Sequence, residues 1–387
     1  MIGRWVLLAA GAVILAVTVL VGMAFWSTVR NAVWDGPAVA ADQLVQGWAT
    51  IDGVPGALLH VEVAGQVVLS EAAGWMSNDC ERPLQPDAGF HIASIGKLFT
   101  AATVLRLSER GLLNLDAPVA EWLGAERLSG LVVVDGVDHG HRITARQLLT
   151  HRAGLGNTDS HIAFQARVLL DANRRWSVAE LLEVARELRP AGRPGERTSY
   201  ASPGYWLLGL LIEAVADRPY HEVVRLEVID RLGLDDTFEA SREWTGDAET
   251  MHHYVGWFDL TDHHPSFEFA DGGFVSTAPD LARFGRAVIE GRLFDRPETL
   301  NVFLSPAPGE ARDSLFQAHG PLISRVDDRP TTVLHQGFWG TALIIEPEIE
   351  RVSVIALGQS NASTWEFWRQ ARDLIPDQPH GPLVGDN

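Results

Sequence analysis

The chain has 387 residues, 46% of them hydrophobic, and a formal net charge of −19 at pH 7. This length is enough for a large hydrophobic core. At about 150 residues per domain, it predicts either two lobes or one large domain. The acidic balance argues against a nucleic-acid partner, which needs a basic face, and the single cysteine, Cys80, excludes an intramolecular disulfide.

The first predicted element is an uncharged apolar segment over residues 5–26, after a short flank of residues 1–4. As a helix it would span roughly 33 Å, enough for the core of a bilayer, and Trp5 and Trp26 bracket it as interfacial aromatic residues often do. We interpret it as an uncleaved membrane anchor, with a cleaved signal peptide as the alternative. Both interpretations place the rest of the chain on the periplasmic or extracellular side, after a tether over residues 27–44.

Strand patterns near both ends of the chain enclose a mostly helical middle. They predict an α+β domain over residues 45–375, with one antiparallel sheet built from both chain ends and flanked by helices, followed by a tail over residues 376–387. The individual predictions are a hairpin over 56–74 with its turn at Ala64-Gly65, a helix over 94–110 that stops at Gly111, a short helix capped by Thr144, a helix capped by Ser177, a buried helix after Tyr200, three strands within 331–359, and a last helix over 365–374.

The most informative motif is Ser94-Ile95-Gly96-Lys97, in which Lys97 is the only lysine among the 31 basic residues. Positions i and i+3 share a helix face, so the serine hydroxyl and the lysine amine can meet. Serine is a weak nucleophile until a base takes its proton. Lysine can act as that base, whereas arginine does not deprotonate in proteins. The spacing therefore predicts a nucleophile at Ser94 and its base at Lys97.

Two further motifs can complete such a site. Tyr200-Ala201-Ser202 follows a glycine-rich turn and precedes a buried helix, so the Tyr200 phenol could transfer protons to a leaving group. His335-Gln336-Gly337 lies in an apolar strand, where the glycine would let substrate approach the backbone. The next backbone N–H, that of Phe338, could pair with that of Ser94 to hold an oxyanion.

Taken together, the order of these motifs resembles the serine β-lactamase and penicillin-binding-protein superfamily, above all class C β-lactamases, D-Ala-D-Ala carboxypeptidases and related esterases. ITARQLLTHRAGL, PGERTSYASPGYWLLGLLIE and GGFVSTAPDLARF are similar to further blocks of that superfamily. The resemblance implies the β-lactamase/transpeptidase-like fold and an acyl-enzyme on Ser94. It gives Lys97 the role of base and Tyr200 that of proton carrier, places His335 where many lactamases have lysine, and requires neither metal nor organic cofactor.

Two departures shift the expected substrate. The threonine usual before Gly337, which helps bind a substrate carboxylate, is Gln336, and the asparagine usual two residues after the tyrosine is Ser202. By the resemblance, Gln336 and Ser202 would contact the substrate or the oxyanion together with Gly337 and Phe338. A lysine third motif is impossible, because Lys97 is the only lysine. We expect an esterase-like or D-amino-acid peptidase-like hydrolase acting on a small molecule or a peptidoglycan peptide, with a true β-lactamase as a further alternative.

Two other classes remain open. The histidine pairs, His252-His253, His263-His264 and His139 with His141, would suit a metal hydrolase, but they lack an H-E-x-x-H motif. We interpret residues 252–264 as a solvated loop that can line the cleft. A membrane-tethered penicillin-binding-like protein with little turnover is the non-enzymatic alternative.

Overall fold

A computed structural model describes residues 40–375, except for residues 159–160, 244–248, 308–314, 327–328, 361 and 373. The predicted membrane segment, residues 5–26, most of the tether and the whole of the tail lie outside these ranges. Within them, no helix combines the length and apolar character needed to cross a membrane.

Strands from both chain ends form one eight-stranded sheet in the order β12-β13-β14-β15-β16-β1-β2-β3. The two chain ends join in the antiparallel pair of β1 with β16, in which Leu58 lies opposite Ala356, so the predicted α+β architecture is confirmed. The strands of this sheet are β1 (Gly56–Val63), β2 (Gln66–Ser77), β3 (Cys80–Pro83), β12 (Leu315–Gln317), β13 (Leu322–Val326), β14 (Arg329–Gly337), β15 (Thr341–Glu346) and β16 (Arg351–Ala356).

Shorter strands lie between them in the chain, and β7, β11, β4 and β8 form a small second sheet in that order. The short strands are β4 (Gly89–His91), β5 (Val133–Val134), β6 (Val137–Asp138), β7 (Phe238–Glu239), β8 (Thr250–Met251), β9 (Tyr254–Val255), β10 (Phe258–Asp259) and β11 (Phe274–Ser276).

The helices of the described ranges lie mostly in the middle of the chain, as predicted. They are α1 (Ala41–Trp48), α2 (Gly96–Glu109), α3 (Ala120–Leu123), α4 (Ala125–Leu128), α5 (Ala145–Leu149), α6 (Ile162–Leu170), α7 (Val178–Glu187), α8 (Ser202–Ala216), α9 (Tyr220–Val224), α10 (Asp230–Leu232), α11 (Ala240–Glu243), α12 (Ala278–Ile289), α13 (Pro297–Phe303) and α14 (Thr364–Arg372). A π-helical turn over Arg225–Ile229 joins α9 to α10.

Local sequence explains several of these boundaries. Thr144 and Gln147 form a reciprocal capping box at the start of α5, and Ser177 and Glu180 form another at α7. Gly111 has a φ of 75° just beyond α2, a conformation that glycine adopts without strain. The predicted hairpin turns at Ala64 and Gly65, both in the left-handed region.

The central strands β1, β15 and β16 are buried along their whole length because both faces of the sheet are covered. Leu58 packs into the core shared with the helical region, whereas its neighbour Leu59 packs with α1 and α14. In β15, Leu343 likewise packs into the core shared with the helical region, and Ile344 packs on the opposite face with α1 and α14. Alternating side chains of β14 therefore face either the helical region or α14.

Three elements differ from the prediction. Helix α1 occupies part of the segment predicted as tether, because its apolar side chains pack on the sheet. Ser94 lies in a 3₁₀ turn, Ala93–Ile95, and α2 begins only at Gly96. Residues 252–264 are not merely a solvated loop, since they contain β9 and β10 and bury Val255 and Leu260.

Candidate active site

Ser94 stands in a tight turn between β4 and α2. Ala93, just before it, has a φ of 45°, which is uncommon for a residue with a side chain. A Cβ at Gly272 would lie 2.9 Å from the carbonyl carbon of Ala93, and one at Gly96 would lie 2.9 Å from the ring of Phe274. The two glycines therefore let the chain around Gly272 approach the backbone of the Ser94 turn.

Lys97 follows on the first turn of α2 and is fully buried. Its Nζ donates to Ser94 Oγ at 3.0 Å, to the backbone oxygen of Asp271 at 2.9 Å and to Asp271 Oδ2 at 3.3 Å. The same nitrogen lies 5.1 Å from the centre of the Tyr200 ring. An ammonium group inside a protein requires such partners, because burial removes its hydration.

Tyr200 reaches Ser94 from the loop that precedes α8. Its hydroxyl donates to Ser94 Oγ at 2.8 Å, so Ser94 Oγ accepts hydrogen bonds from both Lys97 and Tyr200. The loop that carries Tyr200 is tied to α5, because the backbone N–H of Ala201 donates to His151 Nδ1 at 3.2 Å and Ser199 bonds the carbonyl of His151. The His151 and Tyr200 rings lie 4.4 Å apart between their centroids.

Strand β14 places the predicted third motif beside Ser94. His335 is buried on the face toward the helical region, and its Nδ1 is 2.9 Å from the carbonyl oxygen of Gln336. A Cβ at Gly337 would overlap the carbonyl oxygen of Ile92 and the hydroxyl of Thr341. The glycine is thus needed where β14 crosses the segment before Ser94, and not only for the approach of substrate.

The structure does not bring the Gln336 side chain to the site. Its amide donates to Thr364 Oγ1 at 2.7 Å, at the start of α14 on the opposite face of the sheet. The alternation of side chains along a strand explains this, since His335 already occupies the face toward the helical region. Gln336 therefore takes no part in the pocket, contrary to the prediction that it stands in for a substrate-binding threonine.

A pocket that is partly open to solvent lies above Ser94. Ser202, Asp271, Gly272 and Phe338 also line it, so the predicted Ser202 and Phe338 lie where substrate would bind. Most of its wall is apolar and comes from α6 and from residues 255–267, namely Phe164, Val168, Leu169, Val255, Phe258, Leu260 and Phe267, with Trp206 and Trp339 closing two sides.

Comparison with known proteins agrees with this architecture. The β-lactamase family profile matches residues 41–375. The chain belongs to the β-lactamase family. A penicillin-binding protein of Bacillus subtilis (strain 168) is 22% identical over 309 residues, covering 73% of this chain and 63% of its own length. Esterase EstB of Burkholderia gladioli is 39% identical over 193 residues, 49% of this chain and 48% of the esterase. The chain thus spans less than two thirds of these curated relatives.

Solved structures show the same fold over most of this β-lactamase-family chain. The D-stereospecific amidohydrolase of a Streptomyces species superposes with a TM-score of 0.71 at 24% identity, covering 87% of this chain and 98% of that one. At this identity the likeness concerns the fold alone.

The electrostatics of this β-lactamase-family site favour neutral side chains around Lys97. Burial lowers the pKa of His335 to about 3, with a further contribution from the charge of Lys97. Burial, and then the charge of Lys97, also lower the pKa of His151. Burial raises the pKa of the Glu268 carboxyl, which accepts from Trp339 Nε1 at 3.0 Å. His335 therefore cannot serve as the cation that a lysine would provide in its place.

Sequence reasoning missed three residues of the site: Asp271, His151 and Trp206. Trp206 Nε1 donates to Asp271 Oδ1 at 3.3 Å, and Asp271 in turn accepts from Lys97. Their sequence signals are weak, because Asp271 precedes two glycines as turn residues often do, and His151 lies inside a block noted only for its likeness to relatives. Over the described ranges, no three His, Cys, Asp or Glu side chains gather as a metal site would require.

Proposed function

We propose that this chain is a serine hydrolase that forms an acyl-enzyme on Ser94 and cleaves a carboxylic ester or amide. The observation that carries the proposal is the position of Ser94 Oγ, 3.0 Å from Lys97 Nζ and 2.8 Å from the Tyr200 hydroxyl, beneath an apolar pocket. A base and a proton carrier thus contact the same hydroxyl, as nucleophilic catalysis requires.

The chemistry follows from these contacts. The neutral amine of Lys97 accepts the Ser94 proton while Oγ forms a bond to the substrate carbonyl carbon. The backbone N–H groups of Ser94 and Phe338 are the proposed oxyanion donors, a role supported by the place of both residues at the pocket. The proton passes through Tyr200 to the leaving alcohol or amine as the carbonyl–leaving-group bond breaks. Water then attacks the acyl-enzyme, the released acid departs, and Ser94 regains its proton.

The pocket favours an uncharged substrate with an apolar acyl group. Among the described residues that line it, none is Lys, Arg or His, whereas Glu268 and Asp271 are acidic. A β-lactam or a peptide ending in D-alanine carries a carboxylate, which would find no cation there. The name of the similar esterase supports ester cleavage, and the name of the structurally similar amidohydrolase supports amides as the second class.

The test combines labelling with a substrate panel. A fluorophosphonate should add to Ser94 in the wild type, located by peptide mass spectrometry, and not to Ser94→Ala. Para-nitrophenyl esters of increasing acyl length, D-amino-acid amides and a chromogenic cephalosporin then rank the substrates. We expect the esters to be cleaved fastest. Failure to label Ser94 would refute the nucleophile, and rapid turnover of the cephalosporin alone would replace the esterase with a β-lactamase.

Lys97→Arg provides a matched control because it keeps the positive charge and removes the base. Its kcat should fall by about 10³-fold or more if Lys97 accepts the proton. A near-normal kcat would contradict the role of Lys97 as base.

We propose, further, that the hydrolase domain is anchored to a membrane and exported. The support is the uncharged apolar segment over residues 5–26. N-terminal sequencing of protein extracted from membranes should begin at or near Met1. A start beyond residue 24, with the protein in the soluble fraction, would favour the alternative of a cleaved signal peptide.

A further inference from the structure

Asp271 contacts Lys97 through both its backbone and its side chain. The backbone oxygen accepts at 2.9 Å and Oδ2 at 3.3 Å. Only 12% of the Asp271 side chain is exposed, and that of Lys97 is fully buried. The two side chains therefore form an ion pair largely shielded from water, beside the nucleophile.

The Asp271 side chain is held in a defined orientation. Its second oxygen, Oδ1, accepts from Trp206 Nε1 at 3.3 Å, and the Trp206 ring is buried on α8. Gly272, the next residue, packs against the backbone of Ala93, where a larger residue would not fit. Trp206 thus orients the carboxylate, and the turn that carries Ser94 fixes the position of the backbone that follows it.

This arrangement bears on the direction of proton transfer. A neutral amine has two protons and one lone pair, whereas an ammonium has three protons to donate. The neutral amine can donate one proton to the backbone oxygen of Asp271 and the other to Asp271 Oδ2. Its lone pair is then available toward Ser94 Oγ at 3.0 Å. After the Ser94 proton has moved, the Asp271 carboxylate stabilises the resulting ammonium.

We propose that Asp271 is a positioning residue that orients the Lys97 amine toward Ser94 and strengthens it as a base. The inference rests on the proposed function, since it assigns Asp271 a part in the same acyl transfer. The same carboxylate also has a disadvantage, because it favours the ammonium form of Lys97 in the resting enzyme. As the pH falls, activity is therefore lost at a higher pH than it would be without the carboxylate.

The other groups around Lys97 do not replace Asp271 in this role. They are Tyr200 and Tyr205, whose rings lie 5.1 Å and 5.4 Å from Nζ, and His151, His335 and Glu268, whose charges couple to it. Burial lowers the pKa of both histidines and raises the pKa of Glu268 and of Tyr205. The two histidines and Tyr205 are therefore neutral near pH 7, burial favours the neutral form of Glu268, and Asp271 is the carboxylate that contacts Lys97.

The test is the pH dependence of kcat/KM for a para-nitrophenyl ester in the wild type and in Asp271→Asn. Asparagine keeps the shape and the backbone oxygen but removes the charge. We expect the acid limb of the profile to move about one pH unit lower, and the plateau to fall by roughly 10-fold because the base is weaker. A counter-ion needed only for folding would lower the melting temperature and leave the acid limb in place, which would overturn the inference.

Asp280→Asn is the matched control. Asp280 is a buried aspartate on α12 that accepts from the Thr237 hydroxyl at 2.8 Å and from the Arg283 guanidinium at 3.1 Å. Its variant should retain the wild-type acid limb. Asp271→Ala serves as a second neutral variant if Asp271→Asn does not fold, with the same shift expected. Fluorophosphonate labelling separates the two hypotheses: an unlabelled wild type refutes the proposed function, whereas a labelled wild type with an unmoved acid limb in the Asp271 variant refutes only the role of Asp271.

Discussion

The imidazole of His151 lies against the phenol ring of Tyr200, with 4.4 Å between ring centroids and 36° between ring planes. His151 Nδ1 also accepts from the backbone N–H of Ala201, the residue that follows the tyrosine. His151 has a φ of 53°, in the left-handed region that most side chains avoid. One strained residue at the end of α5 thus supports both the ring and the backbone of the proposed proton carrier.

Replacing His151 should lower kcat more than it raises KM, because Tyr200 would lose its support while the pocket walls stay in place. His151→Asn keeps an acceptor and tolerates the left-handed backbone, so its loss would come from the missing ring, at about 100-fold in kcat. His151→Phe keeps the ring but leaves the Ala201 N–H without its acceptor, which should cost about 1–3 kcal/mol of stability. Ester kinetics and thermal unfolding measure the two effects. A normal kcat in His151→Asn would show that the His151 ring does not hold Tyr200 in place for catalysis.

Much of this architecture could be predicted because it depends on neighbours in the sequence. The Ser94 and Lys97 side chains meet through their spacing on one helical turn, and Thr144 and Ser177 cap helices through residues three positions away. Strand alternation explains the error at Gln336: because His335 faces the helical region, its neighbour must face α14. The position of Gln336 in the motif does not by itself show which face of the sheet its side chain occupies.

Asp271 could not be found in this way, because it lies 174 residues from Lys97 in the sequence. Local patterns carry no information about which distant turn meets a buried amine. Gly96 and Gly272 bring the two segments together, but the need for glycine at these positions becomes clear only when their packed neighbours are known. Sequence therefore predicts the nucleophile and its base, whereas the partner of the base depends on the tertiary fold.

A side chain at Gly337 should damage both stability and activity. In Gly337→Ala the added Cβ would overlap the Ile92 carbonyl and the Thr341 hydroxyl, so β14 must move away from the turn that carries Ser94. We expect a loss of about 1–3 kcal/mol in the free energy of unfolding, and about 100-fold in kcat, because the proposed oxyanion donors separate. Denaturant unfolding and ester kinetics provide the measurements.

Gly89→Ala is the control for this substitution. Gly89 also lies in a strand, β4, but a Cβ there would have its nearest neighbour at 3.5 Å, an ordinary contact. This variant should keep both stability and kcat close to those of the wild type. Equal losses in the two variants would show that the effect of Gly337→Ala is not caused by the crossing of β14 over the Ser94 turn.

Acid should destabilise the fold through buried histidines near the site. The rings of His91 and His253 lie 4.6 Å apart, and that of His253 lies 4.2 Å from Trp339. Burial lowers the pKa of His91 to about 4, and that of His253 below its usual value. Because the unfolded chain binds protons more readily below about pH 6.5, stability should fall as the pH decreases from there toward 4, by up to about 1.4 kcal/mol per pH unit for each such histidine.

His253→Phe should therefore reduce the loss of melting temperature between pH 7 and pH 5, since one titrating group is removed while an aromatic ring is kept against Trp339. His141→Gln, at an exposed position, is the control and should leave the acid dependence as in the wild type. Differential scanning calorimetry at several pH values measures the slopes. A wild-type slope in His253→Phe would mean that other groups dominate the acid sensitivity.

The lack of a basic side chain among the described residues that line the pocket should set the choice between charged and neutral substrates. Glu268 and Asp271 line it, and the described lining residues include no basic side chain. We expect an N-acylated dipeptide ending in D-alanine to be cleaved at least about 10-fold more slowly than its methyl amide, because a free carboxylate would lose hydration without gaining a cation.

Gln165→Lys, which adds an ammonium to the pocket wall, should narrow the ratio of the two cleavage rates, whereas Gln165→Met, of similar length and neutral, should not. A wild-type enzyme that prefers the free carboxylate would show that a cation outside the described lining residues reaches the substrate, and would favour carboxypeptidase activity over ester hydrolysis.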